Sequence, residues 1–189
     1  MISKIVLIIS LLLIILITTV IVRSIVKKQP IIGRPPVPVV FFLLAKILVL
    51  VNLAFLLLKG LNIPVYGIYT PVEWVDIIAL AFLITGTLIL FLSTFKLNND
   101  LVFGLSSSDH HKLQTKGIFS ISRHPFYLGF IFILFSSCLF NPHYINILAF
   151  IGAWTIHHFI MIKEEQFLIA QYRDEYRQYA KNVKRYILF

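Results

Sequence analysis

The chain has 189 residues, 59% of them apolar and only 13% charged, against about 25% charged in soluble domains. A chain of this size has too little interior to hide that much apolar surface and too much of it to stay unfolded, which excludes both a soluble globular domain and a disordered chain. The formal net charge of +9 then speaks first of membrane topology rather than nucleic acid, and the single cysteine, Cys138, excludes an intrachain disulfide framework.

A helix that crosses a bilayer needs about 20 mainly apolar residues. The first such stretch runs from about Ile5 to Val22 and is closed by Arg23. Its apolar run is longer than the roughly 7–15 residues of a signal peptide core, and no A-x-A-like site follows, so it reads as a retained helix. The second runs from Val39 to Leu58, after the breaker run Arg34-Pro35-Pro36-Val37-Pro38, and the third from about Val75 to Phe95. The fourth, Pro125 to Phe140, is short, and the fifth runs from about Tyr144 to Ile162. Asn141-Pro142 separates the last two so tightly that they must form a helical hairpin. Two-residue alternation is absent, which excludes a barrel.

Lys and Arg set the orientation. Arg23, Lys27, Lys28 and Arg34 follow span one; Lys96, Lys112, Lys116 and Arg123 follow span three; Lys163, Arg173, Arg177, Lys181, Lys184 and Arg185 follow span five. All of these fall on one side, whereas Lys4 and Lys59 fall on the other and Lys46 lies inside span two. The expected fold is an all-α integral membrane protein with five transmembrane helices. Its N-terminus lies outside and its C-terminus in the cytoplasm, which accounts for the basic excess without nucleic acid and lets the basic face attract anionic lipid. No internal repeat is apparent.

After span five, Leu168, Tyr172, Tyr176, Tyr179 and Val183 are spaced to make one apolar face of a cytoplasmic amphipathic helix. Periodicity alone leaves two readings open: a helix lying on the membrane surface, or a cap folded over a ligand. Glu164-Glu165 closes span five. Adjacent helical residues point about 100° apart, so the two carboxylates face different partners. Carboxylates at a helix C-terminus are disfavoured by the helix dipole, so the pair reads either as a solvated helix end beside Lys163 or as the partner of a cationic ligand group. At the start of span four, Arg123-His124-Pro125-Phe126-Tyr127 places proline in the first turn and leaves free backbone N–H groups that suit an anion. His157 and His158 lie within span five, where histidine is a functional candidate. The adjacent His157-His158 and His110-His111 pairs lack metal-ligand spacing, and no Cys cluster exists, so no metal is expected. Lys46 and Asn52 read as snorkelling or cross-helix bonding residues.

Together these pieces resemble a known pattern. His111-Lys-Leu-Gln-Thr-Lys-Gly117-Ile-Phe119, Arg123-His-Pro-Phe-Tyr127-Leu-Gly129, Asn141-Pro142, Glu164-Glu165-x-x-Leu168 and Tyr176-x-x-Tyr179-x-x-x-Val183 resemble the isoprenylcysteine carboxyl methyltransferase family, part of a wider group with membrane phospholipid methyltransferases. The match covers about residues 111–186; the first three helices match only in kind. The resemblance implies residues 1–110 as membrane helices with their loops, and 111–189 as the cofactor-binding region of one integrated domain. It implies S-adenosylmethionine, held by His111, Lys112, Leu113, Gln114, Phe119, His124, Pro125, Phe126, Tyr127 and Glu164. Two positions depart from the pattern. Ile160 stands where relatives often carry an arginine that helps hold the substrate, and Tyr172-Arg173 where they often carry Phe-Gly.

The sequence therefore reads as an S-adenosylmethionine-dependent methyltransferase with its site facing the cytoplasm. The acceptor is a lipid or lipidated small molecule, such as the carboxylate of a prenylated cysteine. A carboxylate needs no general base; an amine does, and Glu165 and His157 are the candidates. The alternatives are a phospholipid N-methyltransferase, a non-catalytic membrane protein, and an NADPH-dependent reductase. Membrane sterol reductases share the RHPxY run and Tyr-rich tail, but tend to carry Arg-Asp-Glu where this chain has Lys163-Glu164-Glu165.

Overall fold

A computed structural model describes residues 1–27, 34–97 and 113–187. In chain order it contains α1 (Ile2–Lys27), α2 (Val39–Gly60), α3 (Glu73–Leu97), a single 3-10 turn (Gly117–Ser120), α4 (Pro125–Phe140) and α5 (Tyr144–Asn182). No strand occurs among the described residues. The helices begin where the sequence permits: α2 directly after Pro38, and α4 with Pro125 in its first turn.

Large apolar side chains are exposed around the bundle, Ile15, Ile47, Leu50 and Phe91 among them, while Val6, Leu56, Leu83, Leu90 and Ile133 form the core. Helices apolar on all sides belong in a membrane. Among the described helices, α1, α2, α3 and α5 are long and apolar enough to cross one, and the chain is built as a multi-pass membrane protein. The fourth expected span, α4, has the expected bounds, but its 16 residues reach only ~24 Å at 1.5 Å per residue, against a hydrocarbon core of about 30 Å.

The most extensive packing is between α3 and α4. A Cβ added at Gly86 or at Gly129 would sit 2.8 Å from the other glycine's carbonyl oxygen, so only two glycines allow these backbones to touch. A buried polar network ties the α4–α5 hairpin to α2. Ser137 Oγ donates to the Asn52 carbonyl (2.8 Å), Asn146 Nδ2 to the carbonyls of Ser137 (2.9 Å) and Asn141 (3.0 Å), and Asn141 Nδ2 to the Phe55 carbonyl (3.0 Å).

The apolar run of α5 ends at Ile162, but the helix continues to a kink at Arg173, whose backbone takes φ 47° and ψ −117°. From His158 to the kink is ~22 Å of helix, yet the Tyr186 hydroxyl lies 2.8 Å from His158 Nδ1. The chain must therefore reverse and run back along the bundle. The returning strap is fastened by the Arg123 N–H to the Lys184 carbonyl (2.9 Å), Ser122 Oγ to the Arg185 carbonyl (2.8 Å) and Tyr179 Oη to the Phe119 carbonyl (2.6 Å). The terminal helix thus folds back against the 3-10 turn and the segment before α4. Leu168, Tyr172, Tyr179 and Val183 are half-buried and Tyr176 fully buried.

Candidate functional site

The strap closes over the end of the bundle where α4 begins and where the apolar part of α5 ends. His124 caps α4 without using its side chain, so the ring is free to reach α5. Its Nε2 lies 3.1 Å from Glu165 Oε1, and its Nδ1 3.9 Å from Glu164 Oε2. Tyr127, three residues on and on the same face, donates its hydroxyl to Glu164 Oε1 at 2.6 Å. The two adjacent glutamates thus straddle His124 and look to different sides.

Glu165 is enclosed by cations. Arg185 grips it with Nε to Oε1 (3.0 Å) and Nη2 to Oε2 (2.7 Å), and Arg123 Nη2 lies 3.2 Å from Oε1. Burial alone would push its carboxyl up, but the His124 and Arg185 hydrogen bonds and the Arg123 charge outweigh it and hold the carboxyl down at about 2. Both oxygens are occupied, so Glu165 joins α5, the start of α4 and the strap. Beside it, burial raises the Tyr179 phenol to about 12. Arg123 Nε and Tyr176 Oη are buried and have no hydrogen-bond partner among the described residues. Unused buried polar groups of this kind are costly, and a polar ligand offsets that cost.

Below the mouth lies a cavity of about 490 Å³ between the helices, within the size range of small-molecule sites. Its lining is almost entirely hydrocarbon, with Lys46, Thr94, Tyr127 and His157 as the polar exceptions. His157 is buried; its Nδ1 lies 2.7 Å from the Ala153 carbonyl, which only an N–H can face, leaving Nε2 for other work. Its ring centroid is 5.7 Å from that of Tyr127.

The expected residues divide accordingly. The structure brings His124, Tyr127, Glu164 and Glu165 together, with Phe119 and Pro125 buried near them in the chain. Phe126 faces the cavity. Leu113 and Gln114 are half-buried in the irregular approach to the 3-10 turn. His111 and Lys112 lie outside the described residues. His157 lies ~10 Å deeper along α5 than Glu164. Three roles were not read from the sequence: Arg185 and Arg123 as partners of Glu165, and Lys46, read there as a snorkelling or cross-helix bonding residue, as a wall of the cavity. Arg185 carries no local signal, since only the reversal at Arg173 brings it to a carboxylate 20 residues back. Lys46 did carry one, as a cation inside an apolar span. Among the described residues no group of three or more His, Cys, Asp or Glu is placed to hold a metal ion.

The family described as phospholipid methyltransferase matches residues 74–175, from the first turn of α3 to just past the kink. A methanethiol S-methyltransferase 1 of Bradyrhizobium diazoefficiens is 30% identical over 139 residues, which are 68% of this chain and 47% of that protein. The chain thus spans about half the length of the curated relative it matches. No solved structure matches significantly. The family match covers more than half of the chain and contains α4, the Glu pair and the hairpin between them: the chain belongs to the phospholipid methyltransferase family.

Proposed function

We propose that this chain is an S-adenosylmethionine-dependent membrane methyltransferase whose acceptor is apolar, a lipid or a lipidated small molecule such as a prenylated cysteine. One observation carries the reading. The His124–Tyr127–Glu164 cluster, capped by the strap, opens directly onto a hydrocarbon-lined cavity through a shared wall, Tyr127. A polar cofactor and an apolar acceptor would meet at that residue. The relative's printed name makes a small thiol a second acceptor type for the same cavity.

The donor set fits the cofactor. Glu164 keeps a partly exposed carboxylate at the mouth, suited to the cofactor's ammonium and sulfonium charges. The N–H groups of the first turn of α4 suit its carboxylate. Arg123 Nε and Tyr176 Oη offer unused polar atoms, and Phe119 and Tyr127 offer aromatic faces to the adenine. His111, Lys112, Leu113 and Gln114 belong to the same set by resemblance. The cofactor, when bound, supplies a methyl group on a sulfonium. The chain's own residues do the rest: Tyr127 holds Glu164 in one orientation, Glu165 fixes His124 and the strap, and the strap excludes water from the mouth. For an acceptor that must lose a proton, Nε2 of His157 takes it, because the oxygens of Glu165 are already engaged. The positive-inside distribution of Lys and Arg supports a mouth that faces the cytoplasm.

Detergent-purified protein titrated with S-adenosylmethionine and, separately, with NADPH tests the reading. S-adenosylmethionine is expected to bind. Glu164→Gln removes a charge-assisted bond worth about 1.5–3 kcal/mol, so affinity is expected to fall roughly ten- to a hundredfold. Binding of NADPH in its place, or unchanged affinity in Glu164→Gln, overturns it.

A further inference from the structure

The wall of the hydrocarbon-lined cavity is not closed on all sides. Its lining residues on α3, α4 and α5 are buried or half-buried. Ile17 and Ile21 on α1, and Leu43 and Leu50 on α2, line it too but are also exposed on the outer surface, from 36% at Ile17 to 62% at Leu50. The course of α1 shows how this opening arises. Near its start the helix packs tightly: a Cβ added at Gly60 of α2 would lie 2.8 Å from Leu7 Cα, and Val6, Ser10 and Leu13 are buried. Ile17 and Ile21 continue that stripe at four-residue spacing, yet from Ile14 onward no described side chain of α1 is buried. The stripe stays apolar while the bundle falls away from it, and the cavity occupies the space between.

Equal lengths of antiparallel helix counted from the Leu7–Gly60 contact set Ile17 level with Leu50, one on each side of the gap. Leu43 and Leu50 lie ~6 and ~16 Å along α2 from Val39, at the depth of acyl chains. The gap therefore faces lipid tails on its outer side and Tyr127 and His157 on its inner side. The other way in, past the strap, leads by Arg123, Glu165 and Arg185. An apolar tail taking it would expose each of its methylenes to water, at a cost in free energy. We propose that the gap between α1 and α2 is a lateral door, through which the tail of an apolar acceptor passes from the bilayer into the cavity. The inference rests on the reading above that the acceptor is apolar. It adds that acceptor and cofactor arrive by separate routes, so that neither must leave for the other to bind.

Photolabelling of the full-length protein in vesicles tests this without turnover and without cofactor. The probe is hexadecanol with a diazirine at the end of its tail, added from a second set of vesicles and flashed at intervals. The label is read on the peptides that hold Leu53, Leu90 and Phe130 at the inner wall of the cavity. The pair Ile17→Trp with Leu50→Trp narrows the gap, and Ile17→Ala with Leu50→Ala widens it. The rate of inner-wall labelling is expected to fall at least about tenfold in the tryptophan pair and to rise about twofold or more in the alanine pair. Leu88→Trp, on an exposed face of α3 away from the cavity, is expected to leave the rate unchanged. Equal rates in wild type and the tryptophan pair overturn the proposal. If the tryptophan pair fails to fold, the alanine pair decides: a rate no faster than wild type overturns it. A phosphatidylcholine carrying the same diazirine is expected to label Ile17 and Leu50 but not the inner wall. If it labels the inner wall as fast as hexadecanol does, the cavity holds bulk lipid and the proposal falls. A wild type that does not bind S-adenosylmethionine overturns the methyltransferase reading instead, and the cofactor-free labelling still reports on the door.

Discussion

Adjacent residues on a helix point about 100° apart, and the Glu164-Glu165 pair is placed in two different environments by that rotation. Glu164 meets one hydroxyl, Tyr127 Oη, and stays partly exposed; Glu165 meets Arg123, His124 and Arg185. The divergence was legible in the sequence from spacing alone, as was the shared face of His124 and Tyr127. The identity of Glu165's partners was not, because Arg185 arrives through a chain reversal. The depressed carboxyl of Glu165 makes a pH prediction. Its folded value, about 2, lies below the unfolded glutamate value of about 4.3, so its contribution to stability is complete above about pH 4.3 and is lost as pH falls toward 2. Hydrogen exchange of the strap amides, Val183 to Tyr186, is expected to accelerate across that window in wild type. Glu165→Gln is expected to show fast exchange already at pH 7 and little further change on acidification. A strap equally protected in both proteins at pH 7 would remove Glu165 from this role.

The helices themselves were readable to within a few residues, because continuous apolar runs broken by proline leave little choice of boundary. The kink was hidden. Arg173 sits at φ 47°, a region that glycine enters freely and other side chains enter at a cost of order 1–3 kcal/mol. The resembling family often carries glycine here, and the arginine that replaces it conceals the break from any propensity argument. Arg173→Gly is expected to relieve the strain, offset in part by the about 0.5–1 kcal/mol that glycine's extra freedom costs in the unfolded chain. The unfolding midpoint is then expected to rise by a few degrees, about 2–4 °C per kcal/mol for a chain of this size. Arg173→Ala separates strain from loss of the side chain: it keeps the Cβ and is expected to give no gain. An equal rise in both variants would show that the arginine side chain, not its backbone, is the source.

At the scale of the molecule, the geometry sorts the chain into two ends. Gly60 against Leu7, Lys59 paired with Asp76 at 2.8 Å, and the Ile68 N–H bonded to the Pro142 carbonyl at 2.8 Å gather the α2–α3 connection and the hairpin tip at one end. His124, Glu164 and Arg185 gather at the other. Most of the Lys and Arg residues follow spans that finish at this second end, and the positive-inside rule is the ground for the proposal that it faces the cytoplasm. The whole assignment turns on α4, because its ~24 Å must be met by local thinning of the bilayer if the hairpin is to reach the far side. Cysteine labelling decides it, since the native Cys138 is buried and gives a quiet background. Tyr144, at the hairpin tip, is 67% exposed, and Lys184 is exposed on the strap. With a membrane-impermeant maleimide on intact cells, Tyr144→Cys is expected to label at once, and Lys184→Cys only after permeabilisation. If Tyr144→Cys also waits for permeabilisation, α4 does not cross, the hairpin is re-entrant, and the chain passes the membrane fewer than five times.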